Sequence, residues 1–376
     1  MCDPISDSQK INLLLQFSKL SNLNLTVISF EKKSDFNSKR IEFLTKKLKK
    51  ANIDWIKLPF YKNILSRTLI FLYFEILVFY IVLSKKIKII HAWSYIPMLL
   101  IIVPNFFLNL KVIFDIRGFW FDEKKDFNQI NFLTYFILKK IEKILFKSAY
   151  KIITLSKRSI KIIENKFDVN KKNILFVTTF ANKNNFKIIN FKNINKFKFL
   201  YLGSAKNSYD FNKVINFLNI FDKYFKQWSL TAYSKDKNYI KELISESNLR
   251  KSNFKVSSIS VNKIKTTLYK YNFGIYFIKP TFAKKASCPT KLAELMFSGI
   301  PVITNYGIGD INYFEKKGNI ILFKFDKINE FYFKRNLKKI LTLKKNLRTN
   351  KQRKFAEKIF DEKLYFKKIL SLYNRI

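Results

Sequence analysis

The densest set of groups able to act on a phosphorylated substrate lies in Pro289-Thr290-Lys291-Leu292-Ala293-Glu294, closed by Gly299-Ile300-Pro301. Leu292, Leu295 and Met296 have the spacing of a short helix with one apolar stripe. Pro289 fits its first turn. Ser287 is the expected N-cap, with Thr290 the alternative if the helix starts later. Gly299 and Pro301 end it. Lys291 and Glu294, three residues apart, share a side near the helix N-terminus, away from the buried stripe. That terminus offers unsatisfied N–H groups and a positive dipole end, which suit phosphate. Lys291 adds charge, and the Glu294 carboxylate can accept two hydroxyls at once. Phosphate plus a vicinal diol describes a nucleotide-sugar. A surface Lys and Glu on an ordinary packed helix is the competing reading.

Other candidates stand just past predicted strands. His91, the one histidine, closes Ile87–Trp93. Asp115-Ile116-Arg117-Gly118 closes the next strand, and Trp120, Asp122 and Glu123 follow. Arg117 has a planar fork suited to phosphate or a carboxylate; a salt bridge to Asp115 or Asp122 is its structural alternative. Gly203-Ser204-Ala205-Lys206 follows a later strand, where backbone N–H groups could cradle phosphate with Lys206 as counter-charge. No paired-carboxylate arrangement of hydrolase type is evident.

The elements that must position these groups alternate along the chain. Short apolar runs at Leu25–Phe30, Ile53–Leu58, Ile87–Trp93, Lys111–Ile116, Lys151–Leu155 and Ile174–Thr178 are separated mostly by helical stretches, with a polar loop expected over Arg117–Asp126. After an Asn/Lys-rich connection the pattern restarts at Phe197–Leu202 and runs to Ile320–Phe323. Such alternation predicts an α/β fold of parallel sheets, with ligands beyond the carboxyl ends of the strands. Two domains are expected: 1–180, and 197–350, with a helix over 351–376 packing back on the first.

Of 376 residues, 48% are apolar, which excludes a disordered chain, and the formal net charge is +45. Lysine is spread over nearly every segment alongside Asn, Ile, Phe and Tyr, the signature of an AT-rich genome. Specific nucleic-acid binding is not expected, since no basic arm or binding motif stands out. The charge still attracts anionic lipid and phosphorylated ligands. Cys2 and Cys288 have neither disulfide-framework nor metal spacing, and a reduced compartment is the default. Thr68–Leu83 and Tyr95–Leu110 are apolar but short of the ~20 residues of a membrane span. Buried helices covering a sheet are the expectation for both, an interfacial helix the alternative. No charged region followed by an apolar core marks a signal peptide at the N-terminus.

His91-Ala-Trp-Ser, Phe114-Asp-Ile-Arg-Gly-Phe-Trp, Ile152-Ile-Thr-Leu-Ser156, Tyr201-Leu-Gly-Ser and, chiefly, Pro289-Thr-Lys-Leu-Ala-Glu294 with Gly299-Ile-Pro-Val-Ile occur in an order and spacing that resemble family-4-type glycosyltransferases of the GT-B fold. Each piece is short, and together they run nearly end to end. The resemblance implies two Rossmann-like domains facing across a cleft. It also implies transfer of a sugar from a nucleotide-sugar donor to a saccharide or lipid-linked saccharide acceptor of the cell envelope, usually with retention and without a required metal or other cofactor. Glu294 would hold the donor ribose, Thr290 and Lys291 the diphosphate, with Gly203, Ser204 and Lys206 nearby. Arg117 and His91 would serve catalysis, and Asp122 would orient the acceptor. Localisation would be cytoplasmic, peripheral on the inner face of the plasma membrane.

The sequence departs from the family in four places. The first of the family's two glutamates is missing, Ala286 standing eight positions before Glu294. Many members have His where Arg117 stands, and Arg and Lys where Ser204 and Lys206 lie. The opening strand is absent before Asp3-Pro-Ile-Ser-Asp-Ser-Gln, so the expectation is that the natural product starts upstream of Met1 or that this chain is impaired. The rival functions are a GT-B-type nucleotide-sugar epimerase, which a single histidine disfavours, and a basic nucleic-acid-binding protein.

Overall fold

The structure is a computed structural model that describes residues 1, 10–20, 23–61, 63–187, 191–192, 194–347 and 350–376. Cys2 and the Asp3–Gln9 segment singled out above lie outside the described residues. Strands β1 (Leu25–Lys32) and β2 (Ile53–Phe60) form a parallel pair. Strands β3 (Ile89–Trp93), β4 (Lys111–Asp115), β5 (Lys151–Thr154) and β6 (Ile174–Phe176) form a second parallel sheet in that order. Among the described residues nothing pairs β1 with β3.

The period of two along β4 and β5 sorts their side chains between two cores. Val112, Phe114 and Ile152 face the layer that contains the helices Ile64–Ser84, Tyr95–Leu108, Phe132–Ser148 and Lys157–Phe167. Ile113 and Ile153 face the other way, against Leu13, Phe17 and the last helix, Glu362–Tyr373, whose Phe366, Ile369 and Leu372 are buried there. The C-terminal helix is thus a core element of the first sheet.

Strand β7 (Phe191–Lys192) is two residues long. Strands β8 (Phe197–Leu202), β9 (Trp228–Tyr233), β10 (Phe254–Ser257), β11 (Phe273–Ile275), β12 (Val302–Asn305) and β13 (Ile320–Phe323) form a parallel sheet in the order β10-β9-β8-β11-β12-β13. The short β14 (Asn346–Leu347) pairs antiparallel with β7. From β8 the chain winds outward through β9 and β10, and from β11 it winds the opposite way through β12 and β13. The reversal between β8 and β11 leaves a crevice beyond their carboxyl ends, the place where such sheets bind ligands.

Two stretches depart from their expected form. The expected helix over 351–376 is two: Asn350–Phe360, whose Ala356 and Phe360 are buried in the core of the second sheet, and Glu362–Tyr373, which packs on the first. Arg117–Asp126 is not all loop, because Trp120–Asp126 is helical. Asp122 and Glu123 in the first turn complement the dipole, and Phe121 anchors the turn in the core.

Candidate functional site

The helix Thr290–Phe297 presents its N-terminal end at the crevice between β8 and β11, where Lys291 meets the Leu202 carbonyl at the end of β8, and packs Leu295 against Gly274 of β11. Pro289 takes the N-cap position and no side chain caps this terminus, so neither Ser287 nor Thr290 serves as the expected cap. Thr290 is the first helical residue, and Ser287 ends the preceding 3₁₀ turn Ala283–Ala286. The C-terminus is as expected: Gly299 has φ +75°, and the Ile300 N–H closes on Leu295 at 2.9 Å.

Lys291 does not project away from the buried face; it is 7% exposed. Its ammonium donates to the Leu202 carbonyl at the end of β8 and lies 3.7 Å from the ring centre of Tyr209, with Tyr276 at 5.1 Å and Tyr201 at 5.4 Å. The helix is wedged under the β8 loop, so a residue on its polar side is enclosed by the neighbouring strand ends. Gly203, at φ +97°, makes room: a Cβ there would stand 3.1 Å from the Lys291 nitrogen. Burial pushes the Lys291 pKa down to about 7 against the upward pull of Glu294. The tyrosine cage had no signal in the sequence, where aromatic strand residues read as core.

Glu294, one turn further on, is half-buried. Burial pushes its carboxyl up to about 7, opposed by the fields of Lys265 and Lys291, and no hydrogen bond to it is formed among the described residues. Its oxygens are not among the enclosed atoms that lack a partner, so they are open to donors from a ligand.

The Gly203–Lys206 loop is arranged differently from expectation. Asp236 accepts from the Ser204 hydroxyl at 2.7 Å and from the Ala205 N–H at 2.8 Å. Burial would raise the Asp236 pKa, but these hydrogen bonds outweigh it and hold the carboxyl below its usual range. The groups that could have cradled phosphate are therefore already bound to an internal carboxylate 32 residues away from Ser204. Lys206 lies over the Tyr239 ring at 4.8 Å.

In the first half, His91 and Arg117 converge on one group, Asp115, which is fully buried. Arg117 Nη1 is 3.6 Å and His91 Nε2 3.9 Å from Asp115 Oδ2. His91 Nδ1 is 2.6 Å from the Tyr373 hydroxyl of the C-terminal helix, and burial lowers its pKa, which favours the neutral ring. The salt-bridge alternative for Arg117 is the one formed, yet its loop still reaches the second half: a Cβ on Gly118 would lie 3.6 Å from Ser287 Oγ.

Asp122 and Glu123, about 100° apart around their helix, meet different neighbours. Asp122 is buried, bonded to the Tyr135 hydroxyl and to Lys139, both at 2.9 Å. Lys139 also pairs with buried Glu142, which accepts from Tyr95 at 2.7 Å. This network is internal to the first half and engages both oxygens of the Asp122 carboxylate, with Tyr135 and Lys139. Asp122→Asn is expected to destabilise the protein by roughly 2–4 kcal/mol, since it leaves Lys139 short of a counter-charge. Urea denaturation measures that loss, while nucleotide affinity should stay unchanged. Glu123 instead reaches across to the second half, accepting from Ser208 at 2.9 Å and Lys284 at 2.7 Å. Adjacent residues on one helix must face apart, and the spacing did not say which faced the cleft.

Further contacts join the two halves at their strand ends. Asp310 accepts from the N–H groups of Lys157 and Arg158 at 2.7 and 3.2 Å, capping the Lys157–Phe167 helix, and Ser156 donates to the Lys285 carbonyl at 2.7 Å. Phe119 stacks on Phe282 at 5.4 Å. Cys288, a buried free thiol, accepts from Thr179 at 3.4 Å. A cavity of about 790 Å³ opens beside these contacts, lined by Lys157, Phe176, Asp310, Tyr313 and Lys368 among others; Thr290, Lys291 and Glu294 do not line it. Among the described residues no three His, Cys, Asp or Glu side chains gather as a metal site.

No family model matches this sequence, and no curated protein does. Solved structures do match. The Anabaena protein HepE in complex with UDP and glucose superposes with a TM-score of 0.69 at 12% identity, over 97% of this chain and 95% of that one. A glycosyltransferase from Rickettsia africae gives 0.67 at 15% identity, over 94% and 98%. The lipopolysaccharide outer core galactosyltransferase WaaB gives 0.62 at 13%, over 94% and 100%. At such identities the likeness speaks for architecture: this chain has the GT-B fold, two Rossmann-like units facing across a cleft.

Proposed function

We propose that this protein is a glycosyltransferase that moves a hexose from a nucleotide-sugar to a saccharide or lipid-linked saccharide acceptor of the cell envelope, with retained anomeric configuration and no required metal. The observation that carries this reading is Glu294: a half-buried carboxylate with no hydrogen-bond donor among the described residues, the fifth residue of a helix with an uncapped N-terminus, at the switch point of a parallel sheet. In the proposed complex Glu294 accepts the two ribose hydroxyls, and the N–H groups and hydroxyl of Thr290 face the diphosphate. A diphosphate near the tyrosine cage raises the Lys291 pKa and keeps it charged. UDP is the first nucleotide to test, because HepE binds UDP and UDP-glucose in the same fold.

The leaving diphosphate gains charge as the glycosidic bond breaks. The helix terminus and Lys291 stabilise that charge in a site from which closure excludes water. On the acceptor side Glu123 takes the place expected of Asp122, since its carboxylate already stands between the halves. A thermal-shift panel of nucleoside diphosphates and nucleotide-sugars tests the reading. One nucleoside diphosphate series should raise Tm in proportion to occupancy; no response to any of them would overturn it.

A further inference from the structure

We infer that the cavity beside the contacts between the two halves is a binding site for a small aromatic anion, a flat apolar ring system that carries a phosphate or carboxylate. Its volume of about 790 Å³ is that of a ligand site and not of a packing defect. The walls come from both halves. Phe176, Thr178 and Phe180 stand at and beyond the carboxyl end of β6, and Tyr365 and Lys368 belong to the last helix, which packs on the same sheet. Across from them the second half supplies Asp310, Tyr313, Phe314 and Phe355. A junction of this kind is a preferred place for a small-molecule site.

The lining is aromatic. Phe180, Phe314 and Tyr365 are buried, whereas Tyr313 is exposed by 51%. The rings of Phe180 and Tyr365 are 4.3 Å apart, and Phe355 lies 6.1 Å from both Tyr313 and Phe314. Rings on both sides favour a flat aromatic guest, which offset or edge-on contact holds better than an aliphatic one of the same area. Thr178 adds a polar group: it is buried, and its hydroxyl makes no hydrogen bond of normal geometry among the described residues. A buried hydroxyl in that state is rare in a settled core, and here it belongs to the wall of a cavity.

The sign of the guest follows from the lysines. Lys157, Lys317, Lys358 and Lys368 all line the cavity, and none of them is in an ion pair among the described residues. Lysine is frequent over the whole surface, so their convergence matters more than their number. Lys157 and Lys368 belong to different helices, yet both stand over the Phe176 ring, at 5.9 and 5.3 Å. Partial burial, and then the field of Lys157, lower the Lys368 pKa. The one acidic residue of the lining among the described residues, Asp310, engages both its oxygens with the Lys157 and Arg158 N–H groups. An anion between the two ammoniums replaces their repulsion with attraction, while its ring lies against the aromatic walls. Because it touches both halves, such a guest favours the arrangement that brings the walls to this spacing. The inference does not rest on the nucleotide-sugar reading, since neither Lys291 nor Glu294 lines the cavity.

Calorimetric titration of the full chain with 2-naphthyl phosphate tests it, beside 2-naphthol and inorganic phosphate as separate probes. The wild type should take up one equivalent of 2-naphthyl phosphate saturably. Each of the other two keeps only the ring or only the charge and should bind at least about tenfold more weakly. The variant Lys157→Gln/Lys368→Gln alters exposed side chains without ion pairs and should melt like the wild type. Its affinity for 2-naphthyl phosphate should fall by about tenfold or more, whereas Glu294→Ala should bind the probe as the wild type does. Overturning results are absence of saturable uptake, equal binding by the double lysine variant, or a comparable loss in Glu294→Ala, which would put the probe at the 290–297 helix. Uptake of several equivalents that about 0.5 M salt releases would also overturn it, as plain attraction to a chain of charge +45.

Discussion

Glu294→Ala is expected to weaken nucleoside diphosphate binding by roughly 30- to 1,000-fold, about 2–4 kcal/mol, because two hydrogen bonds from ribose to a charged acceptor are lost together. The same residue gives a stability signature in the absence of ligand. Its folded pKa of about 7 lies above the usual 4.5, so between those values the folded chain binds more protons than the unfolded one. Its contribution therefore makes stability fall as pH rises from 4.5 to 7, and the deficit persists above 7. Glu294→Gln, which cannot ionise, should match the wild type near pH 4.5 and melt at a higher temperature at pH 8. Lys291 contributes with the opposite slope: its lowered pKa makes stability rise with pH above about 7, which is why the variant must be compared with the wild type at each pH. Superimposable melting profiles would remove the desolvated carboxylate from the account.

Gly309→Ala should be the most damaging single methyl in the second unit. Gly309 has φ +43°, and a Cβ there would fall inside the van der Waals shell of the Ser287 carbonyl oxygen and 3.4 Å from Ser156 Cβ. Its N–H holds the Lys284 carbonyl at 2.9 Å. The neighbour is backbone and cannot rotate away, so the 284–287 segment must move. That strains the Ser156–Lys285 and Asp310–Lys157 contacts and shifts the start of the 290–297 helix. The expected loss is roughly 2–4 kcal/mol in urea denaturation, with a raised donor KM. Gly318→Ala is the control: it has a negative φ, and a Cβ there would meet the flexible end of Met296 at 3.0 Å and the Phe314 carbonyl oxygen at 3.2 Å, far looser than the Gly309 contact, so a smaller loss is expected. Equal losses for the two variants would contradict the pinned loop.

The fold was legible because it is written locally. Strands β8 and β13 begin and end where the apolar runs do, and the alternation with helices carries the parallel topology. The helix at 290–297 was legible too, from its stripe and its terminating Gly299. What the sequence did not disclose was partnership at long range. Ser204 looked available until Asp236 folded onto it, and Lys291 looked exposed until the ends of β8 and β11 enclosed it. His91 and Arg117 stood at strand ends as a site would require, but the last helix of the chain delivers Tyr373 to the same cluster. Asp122 and Glu123 differ by one position, and that rotation about the helix axis decides which carboxylate meets the cleft. Glu294 stands on the polar side of its helix as the spacing said, but the spacing did not disclose that Lys265 of another helix shares its field with Lys291.

The central claim is that the Glu294 carboxylate receives the ribose hydroxyls of a nucleotide bound at the 290–297 helix. Calorimetric titration of UDP and of 2′,3′-dideoxy-UDP into the wild type and Glu294→Ala forms a double-mutant cycle on that contact. The account predicts that the wild type binds UDP much more tightly than the dideoxy compound and that Glu294→Ala binds both equally weakly. If the variant still discriminates between them as the wild type does, the hydroxyls are held elsewhere and the account is wrong.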